Sequence, residues 1–415
     1  MKVFIGLTDI SSQIGAFKEG FENNGYEVLT AVFDKTNVMS NNEVDFVIDK
    51  YFPPPFKYFS GVRPRKVQSY LKEKFNPSKN YIIRKALREC DIFIFMFNTF
   101  YEDFSDLHKI KKKNKKIIFI FTGGHEIWYY AAKQDFERFK MRPLEINPDY
   151  YSKDADLIRA LMSIRMPEKY ADVIYSIPMQ GQLLLRPYKK FVLPIQTHYI
   201  TNNVSIQRDI PKIIHAPSSP VFKGTKYILE VINKLKSRNN IEFEFELIHN
   251  LSHEQAIKKY CECDIIINQV LAPSPGRLGL EGLALGKVML TFLGKDFGYY
   301  EKMPEECPII DVYPENLEKE LIELIADKHL RQSIAEKGPN YIRKYHDPQV
   351  IVKNMIHDIT GEEKSFDFIP SFFRNDFIPE SKERVEIYNK WTDIVRNEEW
   401  YKQYVKKGIC KGLVF

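Results

Sequence analysis

The chain holds 415 residues, enough for two large domains, with 44% hydrophobic and 28% charged side chains, the balance of a globular protein rather than a disordered one. Its net charge of +6 is too small and too dispersed to indicate nucleic-acid binding, and apolar runs such as Ile92–Phe97 and Ile117–Phe121 are far short of the ~20 residues of a membrane span. Asp9 interrupts the N-terminal apolar run before it reaches signal-peptide length, and five scattered cysteines form neither a disulfide scaffold nor a zinc spacing, so the reading is a cytoplasmic, reduced chain.

Taken in order, Lys2–Leu7 reads as a buried strand, followed by a helix that ends at Asn24-Gly25, where glycine supplies a left-handed cap. Tyr26–Phe33 is the next strand; Ser78–Arg88 and Phe104–Lys113 read as helices, Asp91–Phe97 and Lys116–Phe121 as strands. Strands are further expected at Ala171–Ser176 and Lys190–Pro194, and the polar stretch 196–206 reads as a linker. A second alternation begins with strand Pro211–His215 and helix Gly224–Leu235, whose Ile228, Val231, Ile232 and Leu235 lie on one face. Ile241–Leu247 alternates apolar residues with glutamates, as in a strand with one wet face, and Ser252 with Gln255 forms a capping box. Strands Asp264–Leu271 and Val288–Leu293 and helices Leu278–Leu285 and Glu315–Ala326 complete the series. Alternating strands and helices specify an α/β class with doubly wound parallel sheets. The expected division is 1–195, a linker at 196–206, 207–360, and an aromatic tail at 361–415. That tail places Ile387, Tyr388, Trp391, Ile394 and Val395 on one helical face, expected to pack back on the first domain.

Two stretches carry candidate chemistry. In His215–Thr225 a strand ends in a Pro/Ser loop and Lys223-Gly224-Thr225 opens a helix. Ligands of doubly wound sheets bind at the carboxyl ends of strands, and a helix N-terminus beside a lysine favours phosphate. In Ile265–Lys287 a strand, a Gly/Pro loop and a helix recur; Gly276 and Gly279 allow close backbone approach, and Glu281 sits in an apolar helix where it needs a partner such as a ribose diol or a nearby base. The pair Asp154 and Asp156 imitates a metal motif but lies away from any strand end, and no Gly-rich dinucleotide fingerprint follows the first strand.

Together these stretches resemble the donor domain of GT-B glycosyltransferases, most closely glycosyltransferase family 4. Lys223-Gly224-Thr225, Glu281 followed by Ala284, Gly286 and Lys287, the run Leu330-Arg331 to Lys337-Gly338, and His346-Asp347 occur in the family's order, over about residues 208–358. In the first half, Asp106–Thr122 followed by Gly123-Gly124-His125-Glu126, then Ala171-Asp172 and Leu193-Pro194, look like family landmarks. The resemblance implies two Rossmann-like domains facing across a cleft, with a metal-independent, cofactor-free transfer of sugar from a nucleotide-sugar donor to a glycan or lipid-linked acceptor, retaining in stereochemistry. By the same resemblance Ser218, Lys223, Gly224, Thr225, Gly276, Arg277, Gly279, Leu280 and Glu281 bind the donor, Lys223 on the diphosphate and Glu281 on the ribose, while His125, with Glu126 or Asp9 as alternatives, serves catalysis. Two positions depart from the family. Pro273 stands where many members carry a glutamate, and Ser218-Ser219-Pro220 where many carry an arginine; Arg277 is the replacement cation on offer. These departures motivate an alternative, a nucleotide-binding scaffold that no longer transfers sugar; a nucleotide-sugar epimerase would need a pair of carboxylates flanking the sugar, which the sequence does not single out. Six lysines within 109–116 could draw the protein to an anionic membrane surface, at about 1 kcal/mol per charge, or form an ordinary solvated helix end.

Overall fold

The computed structural model describes residues 1–10, 12–33, 44–48, 76–122, 136–137, 139–142, 163–177, 186–249, 251–298, 303–361 and 366–368, with isolated residues elsewhere. The chain divides into two compact units: the described residues of Met1–Trp128, Lys153–Phe191 and Val352–Phe415, and those of Tyr129–Ser152 and Val192–Ile351.

The first unit is a parallel sheet of β1 (Lys2–Leu7), β2 (Glu27–Val32), β3 (Phe46–Val47), β4 (Ile92–Met96), β5 (Lys116–Phe121), β6 (Val173–Ser176) and β7 (Lys189–Lys190), in the order 3-2-1-4-5-6-7. Helices α1 (Gln13–Asn23), α2 (Pro77–Glu89) and α3 (Ser105–Lys112) connect the strands. Beyond their first lysines the central strands β1 and β5, and β4 throughout, carry no polar side chain because both faces are covered; Phe4, Phe93, Phe95 and Phe119 are wholly buried. Helix α1 ends as its sequence implies, with Gly25 at φ 80°. Among the family landmarks, Asp172 is structural: it accepts the Ile117 amide at 2.8 Å and pairs with Lys111 and Lys116. Lys115 pairs with Asp91 and Lys109 lies over the Tyr101 ring, so four of the six lysines at 109–116 have local partners.

The second unit is a parallel sheet of β8 (Lys212–His215), β9 (Glu244–Leu247), β10 (Ile265–Gln269), β11 (Val288–Thr291) and β12 (Ile310–Asp311), in the order 12-11-10-8-9. Its helices are α4 (Pro220–Lys223), α5 (Thr225–Lys236), α6 (His253–Cys261), α7 (Gly276–Ala284), α8 (Leu317–Ala326) and α9 (Lys328–Tyr345). A further helix, α10 (Pro348–Thr360), contains the boundary between the units. The capping box at Ser252 and Gln255 is formed, and β9 is an edge strand with Glu244 exposed. The strand expected at Lys190–Pro194 stops at Lys190. Beyond it the chain joins the second unit, where Ile195 donates its amide to His346 O at 2.9 Å and His346 Nδ1 bonds Leu193 O at 2.9 Å. Residues 196–206, read as a linker, are also held locally: Thr201 N bonds Ala284 O at 2.9 Å, and Arg343 donates to Thr201 O at 2.8 Å.

Of the tail, Phe368 bridges and stacks on Tyr188, and Asp367 accepts the Lys190 amide at 2.7 Å, all within the first unit. Ile387, Tyr388, Trp391, Ile394 and Val395 lie outside the described residues. No helix among the described residues is long and apolar enough to cross a membrane.

A helix leaves its last four carbonyls without intrahelical donors. At α8 that need is met by Arg331, a fully buried arginine that donates to Leu324 O and Ile325 O, and also to Arg208 O. Arg331→Leu should therefore lower unfolding free energy by about 2–4 kcal/mol, since the buried carbonyls of Leu324 and Ile325, and that of Arg208, lose a donor; chemical denaturation checks it.

Candidate functional site

The strand order of the second unit reverses between β8, whose chain moves out to β9, and β10, which leads to β11 and β12. Such a switch point opens a crevice at the carboxyl ends of the two strands. The loops after β8 and β10 carry both candidate stretches, so the topology brings together residues some fifty positions apart in sequence.

After β8 the chain runs through Ser218, exposed in the loop, into the single turn α4. The helix expected at Gly224–Leu235 is α5; the turn α4 before it was not expected, and Gly224, at φ 74°, ends α4 and starts α5. A Cβ at Gly224 would lie 2.6 Å from Val270 Cγ2 and 2.9 Å from Leu271 Cγ, so glycine is required both for the left-handed turn and for the close approach to the β10 loop. The Val270 amide bonds Lys223 O at 3.1 Å, which fixes the approach.

Lys223 Nζ donates to Asn268 Oδ1 at 2.7 Å. No carboxylate among the described residues pairs with it, and burial of the ammonium lowers its pKa to about 8. Thr225 is buried and its hydroxyl bonds His215 Nε2 at 2.9 Å, while His215 Nδ1 meets Ile267 O at 2.7 Å. Because a carbonyl only accepts, Nδ1 carries the proton and Nε2 accepts from Thr225. Burial lowers the His215 pKa to about 4, so this imidazole is neutral and structural.

After β10, Gln269 Nε2 donates to Ala272 O and Ser274 O, and Asn268 Nδ2 donates to Pro275 O at 2.7 Å, so two side chains at the strand end shape the proline loop that holds Pro273. Gly276 at φ 54° begins α7, and a Cβ there would meet nothing within 4 Å. Gly279 differs: a Cβ there would lie 3.0 Å from Pro275 and 3.4 Å from Asn268 Nδ2, so its smallness serves packing within the unit. The Leu280 side chain is buried in the core with Ile266, Leu283 and Met289.

Glu281, 2% exposed, accepts from His253 Nε2 at 2.7 Å and from Arg277 Nε through the same oxygen, Oε1. Burial pushes its carboxyl up, but the hydrogen bond from His253 and the charge of Arg277 outweigh it, and its pKa lies below the ordinary carboxylate value. Arg277, expected to reach a phosphate, is thus an i,i+4 partner of Glu281 within α7. Tyr199 sets its ring edge-on to His253, with centroids 5.7 Å apart. In the first unit, Asp9 accepts the Ile14 amide at 3.0 Å and so caps α1, and Thr8 Oγ1 bonds Asn98 Oδ1 at 2.9 Å at that sheet's own switch point between β1 and β4. His125 and Glu126 lie outside the described residues, as do Asp154 and Asp156. Among the described residues no three His, Cys, Asp or Glu side chains group to hold a metal.

Sequence reasoning missed Asn268, His253 and Tyr199. Asn268 was open to detection as the one amide-bearing residue before Gln269 in an otherwise apolar strand, but its partners lie in other segments. His253 is one residue past the Ser252 cap, where only the fold brings it to Glu281.

His253→Phe leaves the buried Glu281 with one donor fewer, at a cost of about 1–3 kcal/mol. Because the Glu281 pKa is depressed in the fold, its stabilising contribution is present above the ordinary carboxylate value and lost as pH falls through the folded value. Urea denaturation at descending pH should show a smaller loss in His253→Phe than in the parent, complete at a higher pH, because the folded value is less depressed while the unfolded value is unchanged.

No protein-family model matches this chain, and no curated protein matches it in sequence. Solved structures do match in fold. Anabaena HepE, crystallised in complex with UDP and glucose, aligns at TM-score 0.52 and 12% identity over 87% of this chain and 99% of its own. A glycosyltransferase from Rickettsia africae aligns at TM-score 0.53 and 13% identity, and sucrose-phosphate synthase from Thermosynechococcus elongatus at 0.52 and 10%, each over 87% of this chain and 99% of its own. With its two parallel-sheet α/β units in series, the chain has the GT-B fold.

Proposed function

We propose that this protein is a glycosyltransferase that takes a sugar from a nucleotide-diphosphate sugar and passes it to a glycan or lipid-linked acceptor in the biosynthesis of surface polysaccharide or glycoconjugate. The observation that carries the reading is Lys223, a half-buried ammonium at a topological switch point with a neutral amide as its hydrogen-bond acceptor and no carboxylate partner among the described residues. A partly desolvated cation without a counter-charge favours an incoming anion. The likeness to HepE, seen with UDP and glucose, makes a nucleoside diphosphate the anion to test first.

In this reading the donor diphosphate lies over Lys223, Gly224 and Thr225, and the charge that develops on the departing diphosphate is met by the prearranged ammonium. Glu281 stays ionised and aligns Arg277 and His253 beside the ribose. Transfer is metal-independent and retains the anomeric configuration, with His125, Glu126 or Asp9 as the catalytic groups, and the protein works at the cytoplasmic face of the membrane. The pairing of Arg277 with Glu281 and the presence of Pro273 favour one rival, a nucleotide-binding protein without transfer activity.

Calorimetric titration with UDP, GDP, CDP and their sugar conjugates tests the proposal. One diphosphate should bind stoichiometrically. Affinity should fall as pH rises through about 8, because Lys223 then loses its proton, and binding near that pH should take up protons, since the anion raises the lysine pKa. Lys223→Ala should remove this alkaline limb and reduce turnover by about 100-fold or more while leaving the melting curve in place. Binding without turnover of any donor, donor hydrolysis included, selects the rival; no binding to any of these ligands rejects both.

A further inference from the structure

We infer that Asn268 is the positioning residue of the Lys223 site: its uncharged amide holds the ammonium and the proline loop in register without occupying the ammonium's charge. This rests on Lys223 being the diphosphate-binding cation.

Asn268 is 1% exposed at the carboxyl end of β10, whose residues 265–267 are Ile-Ile-Ile, so a polar side chain there is costly unless bonded. It is bonded on both sides. Oδ1 accepts from Lys223 Nζ at 2.7 Å, and Nδ2 donates to Pro275 O at 2.7 Å, with Thr291 Oγ1 at 3.4 Å on the neighbouring strand. The orientation of the amide follows from these partners: only its oxygen can accept from an ammonium, and only its nitrogen can donate to a carbonyl. One side chain thereby links the end of α4, the end of β11 and the residue preceding α7. Gly279 completes the arrangement, because its absent Cβ would stand 3.4 Å from Nδ2.

The chemistry selects asparagine over its near isosteres. Aspartate would place a full carboxylate on Lys223 and compete with any incoming phosphate, and it could not donate to Pro275 O. Leucine would leave the ammonium without its acceptor and Pro275 O with the Gly279 amide alone, at 3.1 Å. Asparagine satisfies one of the three ammonium donors and leaves the positive charge for a ligand. The titratable neighbour that bears on this charge is His215, held neutral by burial, so the charge at this point belongs to Lys223.

The experiment titrates UDP, GDP and CDP into the full chain, its Asn268→Asp variant and its Asn268→Leu variant, each from pH 6.5 to 9.5. Asn268→Asp should weaken binding of the preferred diphosphate about tenfold or more, the scale of one charge-assisted hydrogen bond. Its alkaline limb should also move upward from about 8, because the new carboxylate stabilises the ammonium. Asn268→Leu should weaken binding without that upward move. Two results overturn the inference while leaving the Lys223 reading intact: parental affinity in Asn268→Asp, or equal loss in both variants with the limb unmoved, which is what a loop staple alone would give. A folded parent that binds none of the three overturns the Lys223 reading, and this inference with it. Should Asn268→Asp not fold, Asn268→Ser, neutral and too short to bridge, takes its place; unchanged affinity there is equally decisive.

Discussion

A half-buried lysine with an amide as its acceptor and no carboxylate partner among the described residues carries an electrostatic cost, and the loops at the switch point of the second unit are arranged around it. The ammonium of Lys223 is depressed to about 8 by desolvation, the direction opposite to that of a lysine in an ion pair. Its position follows from the strand order, which parts β8 from β10 at their carboxyl ends, and from Gly224, which turns the chain sharply enough to lay α4 against Val270 and Leu271. The Asn268 amide then sets where the charge sits. Without these the ammonium would be an ordinary surface lysine with less to offer an anion.

A short distance away in sequence from that loop the opposite arrangement appears. Glu281 is as buried as a carboxylate can be, yet it is fully matched by Arg277 and His253 and remains ionised. A paired buried charge contributes little to net stability, but it makes geometry strict, because loss of either partner leaves the other stranded. The unit thus carries an ammonium with no carboxylate partner among the described residues and a carboxylate whose orientation is set by two neighbours. In the proposed reading these serve the diphosphate and the ribose of the donor.

The landmarks that carry the family resemblance are of two physical kinds. Arg331 supplies donors to the carboxyl end of α8, and Lys287 does the same for the carbonyls of Cys261 and Cys263, both at 2.9 Å. Asp172 fastens the start of β5, and His346 fastens the chain at Leu193 as it enters the second unit. These charged and polar groups satisfy backbone atoms that the helices and strands leave open. Lys223 and Glu281 belong to the same set of landmarks, and nothing in the local sequence separates them from the staples.

That division marks what each level of description decided. Strand and helix alternation, the Ser252–Gln255 cap, the left-handed Gly25 and the α/β class were legible in the sequence because each depends on residues within a few positions of one another. The polar positions at the ends of the second half's strands pointed to one crevice for the same reason: loops after parallel strands share one edge of the sheet. The extent of the strand at Lys190, the fate of the segment after it, and the pairing of Lys223 with Asn268 and of Glu281 with His253 were not legible, since each depends on contacts between elements that no periodicity encodes. The Arg277–Glu281 pair is different, because it joins positions i and i+4 of one helix, a spacing the sequence carries. Whether Lys223 meets a carboxylate or an amide is settled by which loops the strand order brings together. Sequence by itself determined which residues could bear the chemistry; only the tertiary structure decided which of their charges are matched within the protein and which is left for a ligand, because matching is a property of distance in space.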